Sequence, residues 1–428
     1  MSETLQVQKK KIHVVGGGTI YPVREHLALS ARAYGSAARY MFALANRQEY
    51  WGEAADTQLH LTKMADPESD IETYGQLRNL AHDIVDDSAS RVIFWSPAVV
   101  DFSGKVGLVG SGLHADRLDS SQRQVMDMES TRKILPMFRK EEVHGHMPPR
   151  KDLFVAGFKT TTDKTPEEQY SAGLKLLKRN SLNLVLANDT VTRNNMVITP
   201  EEAPYHETTD RQTALEGLVD MAYLRHEMTY TPTNVQPGEF VSWESSAVPE
   251  TLRDVVNHCV NRGAYKPFLG VTTGHFSVKT DGGHMLSSRR KTNFNEMDQV
   301  GMVAVDYDAQ GKITAYGGKP SAGARAQLEV YEQHPDKDCI VHFHCPLKPG
   351  VELSTVEQRP FECGSYECGA NTADGLADYE QAGISAVMLD KHGPNVVFRR
   401  DSDPQKVIKF IEEHFDLTAK TGGYIPKD

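Results

Sequence analysis

The chain of 428 residues lacks any run of about 18 apolar residues, so no membrane-spanning helix is expected. Its first eleven residues, from Met1 to Lys11, also lack the apolar core of a signal peptide. Cysteine is scarce. The five present (Cys259, Cys339, Cys345, Cys363 and Cys368) are odd in number and confined to the C-terminal half. That pattern argues against a disulfide framework and for a reducing, cytoplasmic location. A surplus of basic residues is missing too: 47 Lys and Arg stand against 58 Asp and Glu, a net charge of −11. A nucleic acid or an anionic membrane is therefore disfavoured as a partner, while small anionic substrates stay open through local positive loops. There is no short internal repeat and no low-complexity tract. What remains, 39% hydrophobic and 25% charged residues, fits a globular protein, and the length suits two or three domains.

The most informative stretch runs from Asp338 to Pro346, Asp-Cys-Ile-Val-His-Phe-His-Cys-Pro. A strand sends alternate side chains to one face, so His342 and His344 are expected to point the same way. Two imidazoles on one face, stopped by a proline, make half of a site for a divalent metal. With 17 histidines in the chain a chance His-X-His is ordinary. The pair gains weight from a second apolar run, Ala386 to Asp390, which is followed by Lys391, His392 and Gly393. Three neutral imidazoles with an open position describe a catalytic, zinc-type site rather than a closed structural one.

From about Val248 to Glu413 several further elements come in order. They are a helix beginning at Glu250, then Gly270-Val271-Thr272-Thr273-Gly274-His275-Phe276-Ser277-Val278-Lys279, a strand from Val300 to Asp306, the turn Pro320-Ser321-Ala322-Gly323, and His334-Pro335-Asp336 ahead of the histidine strand. This succession resembles the class II aldolase/adducin family. The resemblance implies that His342, His344 and His392 hold zinc or a similar ion, which polarises a carbonyl beside a breaking bond. It also implies that Thr273, Gly274, His275 and Ser321 line a substrate phosphate site, a role suited to turn amides and small hydroxyls. On local sequence alone the same residues read equally as an ordinary capped turn.

The chain departs from that family where the family places a Glu, or an Asp in epimerases. Here the position is Gly323, the preceding serine is Ala322, and His275 replaces an Asn. A glycine cannot move a proton. By resemblance to the methylthioribulose-phosphate dehydratases of the same superfamily, Glu362 or Glu367 is the candidate replacement, since both follow the His-X-His strand. The bland alternative is that they are solvated surface carboxylates. Cys363 and Cys368 are open as soft metal ligands or as small buried hydrophobes, and Cys345 stays open beside the metal strand. Cys259 and Cys339 read as core residues.

The N-terminal half opens with a short apolar strand, Lys11 to Val15, running into Gly16-Gly17-Gly18-Thr19. Glycine turns of this kind let backbone amides approach a phosphate, although they are common without one. Further strand-type runs follow at Val92–Phe102, Leu153–Phe158 and Leu182–Asp189, with helical stretches between them such as Glu167–Lys178. This alternation predicts a doubly wound sheet with any site at the strand C-termini. In order and wording these elements resemble the phosphopantothenoylcysteine synthetase domain of the DNA/pantothenate metabolism flavoprotein family. The resemblance implies a nucleotide or phosphate site on Gly17, Gly18, Thr19, Asn188 and Asp189. The alternative is that these strand-end turns serve folding only. Counted from Thr19, the family's Arg falls on Leu27 and its catalytic Asn on Ala31, while Gly35 is kept; its Lys-Ile-Lys element has no counterpart near Gly112–Arg117.

The expected architecture is therefore α/β throughout. A Rossmann-like doubly wound domain covers residues 1–225, and a linker rich in Pro, Thr and Gly covers 226–248. A class II aldolase-like domain with a central, mainly antiparallel sheet covers 249–428. The expected function is a divalent-metal lyase, of aldolase or dehydratase type, acting on a small phosphorylated hydroxy-carbonyl compound. Zinc is the expected ion, with a nucleotide as a further candidate ligand of the N-terminal domain. Two other readings stand beside it: a non-catalytic, adducin-like scaffold and a nucleotide-dependent ligase. Both resembled families assemble, so a homo-oligomer is expected. Tyr424 in the C-terminal tail reads as a surface residue or as one reaching a neighbouring site.

Overall fold

The computed structural model describes residues 9–47, 51, 55–140, 150–230, 232–280, 284–308 and 312–428. Residues 1–8, most of the polar N-terminal stretch noted above, lie outside the described residues. The chain forms two compact units. The first comprises residues 1–164, 172–198 and 206–226; the second comprises 165–171, 199–205 and 227–428. Among the described residues no helix is long and apolar enough to cross a membrane.

The first unit is built on seven strands: β1 Lys10–Gly16, β2 Ala55–Leu61, β3 Ser90–Trp95, β4 Phe154–Thr161, β5 Leu184–Asp189, β6 Asn195–Ile198 and β7 Pro204–Thr208, of which residues 206–208 belong to this unit. Their order across the sheet is β7-β6-β5-β4-β3-β1-β2. Pairings from β2 through β5 are parallel, and β6 joins β5 as an antiparallel hairpin. Parallel strands are covered on both faces and so read as continuous apolar runs. Accordingly Val14, Val92, Phe94, Val155, Leu184, Leu186 and Val197 are all buried. The covering helices include α1 Ser36–Ala45, α2 Tyr74–Asp86, α3 Pro166–Asn180 and α4 Arg211–Arg225. Their starts are fixed locally: Thr73 forms a capping box with Gln76, and the Asp210 carboxylate accepts from Gln212 N–H. The strand order reverses between β1 and β3, which makes the fold doubly wound, as the sequence predicts.

The second unit has a wide sheet. Its strands are β8 Thr233–Gln236, β9 His275–Thr280, β10 His284–Ser288, β11 Met302–Tyr307, β12 Ile313–Tyr316, β13 Cys339–His342, β14 Thr355–Val356, β15 Ile384–Leu389 and β16 Gly393–Phe398. They lie in the order β8-β12-β11-β10-β9-β13-β16-β15-β14. All pairings from β12 to β15 are antiparallel; only the outermost pairs, β8 with β12 and β14 with β15, are parallel. Helices α5 Glu250–Asn261, α6 Ala324–Gln333, α7 Tyr366–Leu376 and α8 Pro404–His414 complete the unit. The two faces of the sheet pack into separate apolar clusters. Cys339, Val341 and Phe343 enter one, with Trp243 and Phe276; Ile340 enters the other, with Leu328 and Val397.

The stretch read from sequence as a linker, 226–248, is a correction. Residues from 227 on belong to the second unit, where β8 pairs with β12 and Val241 bridges Met302. Trp243 is fully buried and its indole N–H donates to Asn257. Pro and Gly mark turns, but they do not distinguish a free connection from one laid along a sheet edge.

Candidate metal centre

The odd residues of β13 fill one core cluster, so the even positions face the other way. The strand ends at His342, and the alternation carries on through Phe343 to bring His344 to the same face. β15 and β16 form a tight hairpin, and Lys391 takes the left-handed conformation (φ 56°) at its turn. That turn delivers His392 to the same point. Gly393 (φ +143°) follows, and a side chain on it would come within 2.2 Å of the Phe343 carbonyl oxygen. The hairpin therefore presses against the histidine strand at a place where only glycine fits.

His342, His344 and His392 are all buried, and their ligand nitrogens lie within 4.8 Å of one another. The ring centroids are 4.6–5.0 Å apart. His342 Nε2 stands 3.2 Å from His392 Nε2. Two nitrogens bound tetrahedrally to zinc at its usual bond length sit about 3.3 Å apart, so this pair already spans one edge of such a site. The His342 Nδ1–H donates to the Pro394 carbonyl at 2.8 Å, which leaves the Nε2 lone pair for an ion. Burial pushes the His342 imidazole down to about 4, and the Lys420 charge adds to this, so the ring is the neutral ligand form at ordinary pH. The donor set thus fits a divalent metal.

His275 faces His342 directly across the β9–β13 ladder, and the two rings meet at a 30° tilt with centroids 4.7 Å apart. Its Nδ1 accepts from the Gln327 amide at 2.6 Å, while Ser287 Oγ donates to the other end of that amide. Burial, with His342 alongside, holds the His275 ring well below its usual range and therefore neutral. The ring also accounts for Gly323. A Cβ at 323 would lie 2.6 Å from His275 Cδ2 and 2.7 Å from Nε2. The two departures from the family pattern are thus one: the imidazole occupies the volume that a side chain at 323 would need.

The other expected residues are distributed as follows. Gly274 (φ +110°) backs onto the metal strand, where a Cβ would meet the His342 carbonyl at 2.6 Å. Thr273 is half-buried and its hydroxyl donates to Glu202 Oε2 at 3.3 Å. Ser321 Oγ accepts from Gly323 N–H at the start of α6. Glu362 is buried in the loop before α7. Glu367 lies in the first turn of α7, where its carboxylate receives Thr229 N–H at 3.0 and 3.2 Å. Neither glutamate is among the donors that converge on the triad. Cys363 and Cys368 are also outside that cluster and line a small cavity beside it with His275, Gln327, His392 and Asn395. Cys345 lies in the core, its thiol pushed up to about 11 by burial. Tyr424 packs on Tyr170 at 5.4 Å.

In the first unit the candidate nucleotide residues have internal roles. Thr19 Oγ1 donates to the Ala98 carbonyl and receives Val100 N–H. The Asp189 carboxylate receives four backbone N–H groups, from Asp163, Lys164, Val191 and Thr192, and the Thr161 hydroxyl. These bonds hold its carboxyl below the usual range. Asn188 Oδ1 accepts from Thr160. Gly17 and Gly18 are backed by Thr62 and by the Ala31 carbonyl, each within 2.2 Å of where a Cβ would stand.

Sequence reasoning missed one feature of the second unit. Glu202 and Lys420 form a buried ion pair at 2.7 Å, each side chain only 3% exposed. Thr421, next to Lys420, donates its N–H to the His344 carbonyl and its hydroxyl to the His392 carbonyl. No motif announces this pair; its one signal is a lysine in a tail otherwise read as surface.

Residues 258–412 match the model of the class II aldolase and adducin N-terminal domain. No curated protein matches the chain. Among solved structures, the DNA/pantothenate metabolism flavoprotein from Streptococcus pneumoniae is 19% identical over 50% of this chain and 99% of its own, at a TM-score of 0.36. YgbL from Escherichia coli, described as an aldolase, epimerase or decarboxylase, is 22% identical over 38% of this chain and 84% of its own, at 0.30. An L-fuculose 1-phosphate aldolase is 18% identical over 40% and 82%, at 0.29. The three histidines lie inside residues 258–412, the segment that matches the class II aldolase and adducin N-terminal domain.

Proposed function

We propose that the second unit is a divalent-metal-dependent lyase, of aldolase or dehydratase type, acting on a small phosphorylated hydroxy-carbonyl compound. The observation that carries this is the buried convergence of His342, His344 and His392, two of whose ring nitrogens are already 3.2 Å apart. Three imidazole nitrogens suit zinc better than magnesium or calcium, which prefer oxygen donors. A divalent cation held there supplies Lewis acidity, drawing electron density from a substrate carbonyl. The protein's own groups do the rest. Pro394 fixes the tautomer of His342 through its carbonyl. Ser321 offers its hydroxyl, and Thr273 and Gly274 their backbone amides, to the substrate phosphate, since the Thr273 hydroxyl donates to Glu202. Neutral His275 and its Gln327 partner line the small cavity beside His392.

The internal bonds of Thr19 and Asp189 keep the first unit out of this proposal. The test is elemental analysis of the purified chain, before and after incubation with zinc. We expect about one zinc per chain in the wild type and its loss in H342A and H392A, with cleavage or dehydration of hydroxy-carbonyl phosphates lost in parallel. A wild-type protein that stays empty in excess zinc refutes the reading.

A further inference from the structure

The family's acid/base position is Gly323, closed off by the His275 ring, so a proton carrier for this site must come from elsewhere. The neighbourhood of the triad holds a buried ion pair to which the lyase reading gives no role. Glu202 lies in the 199–205 segment of the second unit. It adopts φ +67°, a conformation that a glutamate rarely takes. The surroundings hold it there: Tyr170 OH donates to the Glu202 carbonyl at 2.7 Å, and Glu202 N–H donates to the Thr199 carbonyl. Its carboxylate meets Lys420 at 2.7 Å and the Thr273 hydroxyl at 3.3 Å. Each partner is one residue from a position that packs on the backbone of the triad. Thr273 precedes Gly274, which backs onto His342, and Lys420 precedes Thr421, which grips the carbonyls of His344 and His392. Strained backbone that the surroundings over-determine is a common mark of a functional group.

We propose that Glu202, oriented by Lys420 and Thr273, is the carboxylate that moves the substrate proton in this site; the assignment rests on the lyase reading above. In the cleavage direction Glu202 accepts the proton of the substrate hydroxyl. The O–H pair becomes the second bond of the departing aldehyde carbonyl as the carbon–carbon bond breaks. The electron pair of that bond stays with the carbonyl-bearing fragment. Its carbon then recovers the proton from Glu202, so atoms and charge balance and the carboxylate is regenerated. By the same logic Glu202 removes and returns a carbon-bound hydrogen next to a carbonyl when no aldehyde is present.

The test uses the full chain loaded with zinc, with E202Q, E202D, K420M and the charge-neutral double variant E202Q/K420M. Hydrogen exchange at carbon is followed by NMR in deuterium oxide, with dihydroxyacetone phosphate and dihydroxyacetone as probes. Zinc per chain and the thermal midpoint are measured alongside. We expect E202Q and the double variant to keep full zinc and lose exchange by about 10²–10⁴-fold, and E202D to recover part of it. The double variant removes both charges together, so it keeps the test available should E202Q alone fail to fold. Exchange within about threefold of wild type in either variant overturns the assignment and leaves the lyase reading standing. Loss of zinc from the double variant also overturns it, by making the pair a support for the histidines. A zinc-loaded wild type that exchanges neither probe removes the lyase reading and this assignment together.

Discussion

Substituting Gly323 with alanine tests whether the absent carboxylate and the unusual His275 are a single packing event. The new Cβ would stand 2.6 Å from His275 Cδ2. Carbon atoms in contact prefer about 3.5–4.0 Å, so the overlap is about 1 Å. The ring has little room to yield. It is hydrogen-bonded to Gln327 at 2.6 Å on one side and packed against the His342 ring at 4.7 Å on another. Overpacking of this kind costs about 1–3 kcal/mol. In a H275N background the shorter side chain leaves the space open, so the same alanine should cost less than about 0.5 kcal/mol. The measurement is a double-mutant cycle: urea unfolding of the zinc-free wild type, G323A, H275N and the double variant, read as midpoints at constant m. We expect a coupling of about 1–2 kcal/mol, with the double variant more stable than the sum of the single changes predicts. An alanine equally costly in both backgrounds would show that the two positions differ from the family independently.

In the first unit, His13 is buried against His60 and Ser90, and burial, followed by the His60 charge, pushes it down to about 4. Its folded pKa lies below the unfolded value, so the unfolded chain binds more protons between the two. Stability attributable to His13 is full above pH 6.5 and falls by about 3 kcal/mol as the pH drops toward 4. Urea midpoints of the wild type and H13N across that range check this, and equal slopes refute it. At the hairpin, G393A places a methyl group against the Phe343 carbonyl in a backbone region closed to L-residues. We expect it to weaken zinc binding at least about tenfold, measured by competition with a chelator, because it moves His392 relative to His342.

The histidine triad was legible because two simple rules place it. Strand alternation puts His342 and His344 on one face, and an apolar run ending in His-Gly signals a hairpin that can return a third imidazole. The doubly wound and mainly antiparallel sheets were legible from runs bounded by glycine turns. The surroundings of the triad were harder to read. Glu202 and Lys420 sit far apart in sequence, and their meeting depends on tertiary packing that no local pattern encodes. Thr19 and Asp189 look like ligand groups, yet backbone amides and carbonyls satisfy them; residue type alone does not say whether the partner is a guest or the fold itself. Gly323 and His275 were both visible as departures, but only the overlap of their volumes joins them.

The allocation of residues 199–205 to the second unit bears on how the gene can be divided. A fragment starting at residue 227 would retain every imidazole of the triad yet leave Glu202 behind, stranding the Lys420 ammonium. Orphaning one member of an enclosed charge pair costs about 3–5 kcal/mol, a large share of a domain's margin. Expression of the C-terminal half on its own should therefore yield little folded material.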